Sequence, residues 1–150
     1  MNPLDYVVDC LYIISGERLS TEYSPSPIET LSQTLSANTE AVLAEFLSPM
    51  GFVLLPGIWK VKLVMQGTGN QSTKFALYRI EVLQNGERVA ITEYQTLPTS
   101  FQSLATEIYL PGHRYTDLLT LKVWIKNSHT NSHTNTFNLQ VNLSSSFMKN

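Results

Sequence analysis

The 150-residue sequence has one cysteine, Cys10, which excludes an intramolecular disulfide framework and a cysteine-built zinc site within one chain. Charge is also sparse. Only 15% of residues are Asp, Glu, Lys or Arg, and ten basic against twelve acidic side chains leave a formal net charge of −2. The lysines around Lys60, Lys62 and Lys74 are scattered, so the electrostatic footprint of a nucleic-acid binder is missing. No apolar run approaches the roughly 18 residues that a membrane span needs. The apolar stretch Tyr6-Val-Val-Asp-Cys-Leu-Tyr-Ile-Ile14 follows Asp5, is broken by Asp9 and has no basic residue before it. That favours a strand or docking segment over a secretory leader.

What is present is globular: 43% hydrophobic residues beneath a surface rich in Ser, Thr, Asn and Gln, in a length suited to one well-buried core. From Gly16 to Asn38 the character changes. Tyr23-Ser-Pro-Ser-Pro27 contains two prolines, which lack an amide donor and hold their predecessors extended. The reading is residues 1–30 as an N-terminal arm and Ser/Pro linker, and residues 31–150 as the domain proper.

Beyond residue 38 the dominant period is two, as in strands with one face in a core. Phe137, Leu139, Val141 and Leu143 alternate with Thr136, Asn138, Gln140 and Asn142. Leu119, Leu121, Val123 and Ile125 form a second stripe, Trp59, Val61, Leu63 and Met65 a third, and Ala76, Tyr78, Ile80 and Val82 a fourth within residues 73–83. Leu104, Ile108 and Leu110 align in a shorter run. Thr39 to Leu47 aligns Val42, Ala44 and Phe46; its Ala/Glu/Leu content also suits two helical turns, and strand is preferred. Asn85-Gly86 between Leu83 and Val89 specifies a tight hairpin, because both residues tolerate positive φ. Gly67-Thr-Gly69 reads as a turn. The punctuation leaves room for seven or eight strands and none for long βα crossovers, so the expected fold is an antiparallel sandwich or barrel.

No constellation for catalysis is visible, and the expectation is that the chain is not an enzyme. His129 and His133 have metal-ligand spacing only if helical, and they lie in Asn127-Ser-His-Thr-Asn-Ser-His-Thr-Asn135, a doubled tetrapeptide without a carboxylate. Loop duplication is the simpler reading, with a weak or intersubunit metal site as the alternative, and His129 and His133 are kept as candidate interaction residues. His113 has no marked nucleophile or acid beside it, and nothing pairs Glu81, Glu93 and Glu107 for glycosidic chemistry. Trp59, Trp124, Tyr78, Tyr94 and Tyr109 are candidates for a sugar-binding platform, although strand aromatics more often serve core or interface. No cofactor or metal is expected.

Leu31-Ser-Gln-Thr-Leu-Ser36, Ala44-Glu-Phe-Leu-Ser-Pro49, Leu55-Pro-Gly-Ile-Trp-Lys60, Phe75-Ala-Leu-Tyr-Arg-Ile80 and Asn85-Gly86 together form a pattern over residues 31–145. It resembles the small jelly-roll structural proteins of large double-stranded DNA viruses: minor capsid, penton and fibre-head proteins. The pattern marks a style of fold. The resemblance implies an all-β fold, a single antiparallel β-sandwich of jelly-roll type with an extended N-terminal arm. It also implies a virion location and partners that are other copies of the chain, as trimer or pentamer, and other capsid proteins. The arm would then add a strand to a neighbour's open sheet edge, with Tyr6, Val8, Leu11 and Ile13 as anchors. C1q- and tumour-necrosis-factor-like trimer heads share this style, which leaves a receptor- or carbohydrate-binding head as the alternative, with a host receptor or glycan as partner.

Overall fold

The computed structural model describes residues 7–23, 28–141 and 145–150. Its strands are β1 (Cys10–Ile14), β2 (Arg18–Ser20), β3 (Glu29–Leu35), β4 (Thr39–Leu47), β5 (Gly57–Gly69), β6 (Ala76–Gln84), β7 (Glu87–Ile91), β8 (Gln95–Thr96), β9 (Gln102–Leu110), β10 (Leu119–Asn127), β11 (Asn135–Val141) and β12 (Ser146–Lys149). One helical turn, α1 (Ser72–Phe75), interrupts them. The all-β class follows from the period-two stripes, and Thr39–Leu47 is a strand throughout. Its helix propensity loses because β10 pairs with it along its whole length and Ala44 and Phe46 sink into the core.

The twelve strands form one continuous sheet in the order β3-β11-β5-β12-β1-β2-β4-β10-β6-β7, with β8 on β6 and β9 on β5. Every paired neighbour is antiparallel except β2 and β4, which meet in parallel at Arg18 and Leu47. Two arms, β3-β11-β5-β9 and β4-β10-β6-β7, are joined through β12, β1 and β2. Their inward stripes meet in a single core, in which Trp59, Phe46, Phe137, Phe147, Leu11 and Leu121 are fully buried. Packing of this kind, at organic-crystal density, replaces the cross-links that one cysteine cannot provide.

Three sequence expectations need adjusting. The strand count exceeds seven or eight, because β1, β2, β3, β8 and β12 are short or carry weak alternation. Residues 73–75 belong to α1, so β6 starts at Ala76. Leu143 lies outside the described residues. Gly67-Thr-Gly69 is the end of β5 and not a turn: Gly67 continues the inward row of Met65, and a Cβ there would stand 2.8 Å from Ala76 Cβ. The absent side chain is what lets β5 approach the other arm. Asn85-Gly86 does turn as expected, with φ of 53° and 82°, the two positive values that a twisted hairpin requires.

The segment read as an arm for a neighbour docks on its own chain. β1 lies between β12 and β2, pairing Leu11 with Phe147 and Ile13 with Leu19. Leu11 is 0% and Ile13 2% exposed, and Val8 packs against the same core while its N–H donates to Val53 O at 3.0 Å. Alternation of apolar residues specifies a strand but not whose sheet receives it, and here the gap between β12 and β2 of the same chain receives it. Tyr6 lies outside the described residues, as do residues 24–27 of the Ser/Pro linker.

Candidate functional site

The histidine loop forms a buried polar lock. Asn127, His129 and Asn135 are 0–2% exposed at the shared end of β5, β10 and β11. Asn127 Nδ2 donates to Leu35 O at 3.0 Å and His133 O at 2.9 Å, and its Oδ1 accepts from His129 N–H at 3.0 Å. His129 Nε2 donates to Asn70 O at 2.6 Å, and Asn135 Nδ2 donates to the same carbonyl at 3.2 Å. The rings of His129 and His133 sit edge-on 5.1 Å apart, with Phe75 stacked on His129. These bonds commit His129 to holding the loop, and no group of three or more metal-ligating side chains occurs among the described residues. The tetrapeptide thus supplies loop closure.

The five aromatics considered for a sugar platform do not converge. Trp59 and Tyr78 are in the core and Tyr109 is exposed on β9. Only Tyr94 and Trp124 share a surface, and both are covered by Arg79, whose guanidinium lies 4.4 Å from the Tyr94 ring centre and 5.7 Å from that of Trp124. Tyr94 donates its hydroxyl to Glu40, and burial with that bond pushes its ionisation far up. Glu81 is buried on the same face. Burial opposes its charge, but Arg88 at 2.6 Å and Trp124 Nε1 at 3.0 Å donate to it and hold its carboxyl below the ordinary value. Both oxygens are engaged, which describes a structural ion pair.

Three loops meet at the opposite end: residues 48–56, the Asn85-Gly86 turn and residues 111–118. Ser48 N–H donates to Leu119 O at 3.0 Å and Gly51 N–H to Tyr115 O at 2.8 Å, so residues 47–51 run beside 115–120. These two runs present Leu47 (54% exposed), Met50 (62%), Tyr115 (48%) and Leu118 (48%) to solvent. Asp117 fixes the underside, accepting from Arg114 N–H, Gln84 Nε2 and Asn85 Nδ2 at 2.8–2.9 Å. The backbone and amide donors hold its carboxyl below the usual range. Four large apolar side chains on a hydrogen-bonded end of the sheet have the character of a contact surface. Sequence reasoning passed over them because Leu47 ends the outward row of β4 and the other three sit among loop punctuation; the signal is that these loops are unusually apolar.

His113 lies beneath this end, 5% exposed, with its ring 4.6 Å from that of Phe52. Leu54 N–H points at its Nδ1 from 3.3 Å, which leaves the proton on Nε2, a buried atom with no partner among the described residues. Burial pushes its pKa below the ordinary value, against a smaller opposing pull from Asp117. A depressed histidine contributes stability that is complete above its unfolded pKa of about 6.5 and is lost as pH falls. The thermal midpoint should therefore fall between pH 7 and 5, and His113→Asn, though less stable at pH 7, should show a flatter dependence. An unchanged slope in that variant would remove His113 from the account.

No protein-family model and no curated protein sequence matches the chain. Solved structures do match. An α-amino acid ester hydrolase aligns at a TM-score of 0.55 and 9% identity over 94% of this chain and 35% of its own. A CocE/NonD family hydrolase from Staphylococcus aureus aligns at 0.55 and 12%, over 93% and 35%. An aminopeptidase from a marine sediment Thaumarchaeota archaeon aligns at 0.60 and 7%, over 93% and 36%. What recurs is the fold. The chain spans about a third of the length of these hydrolases, and at such identity the likeness carries no activity across.

Proposed function

We propose that this chain is a non-enzymatic structural subunit of a virion, of the capsid-vertex, minor-capsid or fibre type, that works through subunit–subunit contact. The observation that carries the contact reading is the apolar loop end of Leu47, Met50, Tyr115 and Leu118 on a hydrogen-bonded frame. Its location in a virion is supported by the sequence resemblance described above. The groups best placed for chemistry have structural partners: His129 closes a loop and Glu81 is saturated by Arg88 and Trp124. Burial of apolar surface against a capsid protein is then the working chemistry.

Mass spectrometry of purified particles from the source should find the chain. Changing all four residues to serine should leave the melting temperature within a few degrees, since exposed positions cost about 0.5 kcal/mol or less each. The same variant should be lost from the particles. Absence of the wild-type chain from particles, or equal incorporation of the variant, would overturn the reading.

A further inference from the structure

We propose that β3 is a self-pairing edge, on which a second copy of this chain adds its own β3 antiparallel across a two-fold axis. β3 ends the sheet: β11 pairs with it from Glu29 to Leu35, and among the described residues no strand pairs with its other side. Open edges invite pairing unless they are guarded by charge, proline or a bulge. The longer strands with an open side, β4, β7 and β9, carry charge inside their length. β4 carries Glu40 and Glu45 and has the Glu45 N–H capped by the Glu17 carboxylate at 3.1 Å; β7 carries Glu87 and Arg88 and adjoins a bulge at Val82/Leu83; β9 carries Glu107. In β3 the one charge, Glu29, stands at the first position with its carboxylate turned to Gly16 N–H, and Thr30-Leu-Ser-Gln-Thr-Leu35 has no charge, no proline and no bulge in its ladder.

The strand is also self-complementary. With Ser32 on the axis, Ser32 faces Ser32 of the second copy and Thr30 faces Thr34, hydroxyl pairs of the kind that favour antiparallel partners. A side-chain row already crosses the sheet toward this edge: Gln66 Oε1 accepts from Asn138 Nδ2 at 3.0 Å, and Ser32 donates to Asn138. Thr34 and Thr136 make a second rung at 2.9 Å. Pairing across the axis continues both rows into the second copy without bringing like charges together. The isologous arrangement closes at two copies and does not propagate. This surface is separate from the apolar loop end and stands or falls independently of the virion reading.

Sedimentation equilibrium of the full chain should give a concentration-dependent monomer–dimer equilibrium. Thr30→Lys with Thr34→Lys sets like charges opposite one another and should weaken dimerisation about tenfold or more, whereas Thr30→Lys with Thr34→Glu sets opposite charges there and should retain it. Thermal melts check that both variants fold. Should the first not fold, Ser32→Lys alone opposes itself on the axis and should weaken the dimer. A wild-type chain that stays monomeric at the highest concentration, or variants that all dimerise as the wild type does, would overturn the proposal.

Discussion

A chain lacking residues 1–20 should lose its cooperative thermal transition. Those residues supply β1 and β2, which join one arm of the sheet to the other, and they place Leu11, Ile13, Ile14 and Leu19 in the core at 0–8% exposure. Full burial of one such side chain is worth about 1.5–3 kcal/mol, so four together represent about 6–12 kcal/mol. Domain stabilities are about 5–15 kcal/mol, and the loss is of the same size. β12 would also lose its β1 partner, leaving backbone groups from Ser146 to Met148 unpaired beside exposed apolar surface. The expected product is aggregated or molten, with near-ultraviolet circular dichroism lost. A truncated chain that melts as sharply as the intact one would mean that these strands are dispensable and free to dock elsewhere, as the sequence alone had suggested.

Gly67→Val should cost about 3 kcal/mol, at the upper end of the range for overpacking. The new Cβ alone would lie 2.8 Å from Ala76 Cβ and 3.2 Å from Leu97 Cβ, and valine adds two methyl groups at that point. Neither neighbour can yield easily. Ala76 opens β6 at 0% exposure, and Leu97 is 2% exposed with its N–H bonded to Ala76 O at 2.9 Å. Gly67 itself donates to Pro98 O at 2.8 Å, so moving β5 away breaks that bond too. Urea unfolding should show a lower midpoint with a similar slope. A combined Gly67→Val, Leu97→Ala chain should recover part of the loss, and no change in midpoint for Gly67→Val would show that the arms are less tightly apposed.

Much of this architecture was legible because a strand's inward row is written in its own alternation. The stripes of β5, β6, β10 and β11 were read as they lie, and the Asn85-Gly86 hairpin followed from the backbone angles that these residues tolerate. The histidine pair looked like a loop feature, and the hydrogen bonds of His129 to Asn70 and Asn127, with Phe75 against its ring, show what it holds closed.

The sequence by itself determined the all-β class and the core-facing rows of the longer strands. Tertiary structure decided the rest: that the N-terminal strand fills a gap in its own sheet, that Gly67 is a contact point and not a turn, and that Leu47, Met50, Tyr115 and Leu118 share one end. The physical reason is range. Alternation and turn propensity act between residues a few positions apart, whereas strand order and loop convergence depend on pairings between distant segments, such as Leu11 with Phe147, that no local pattern encodes.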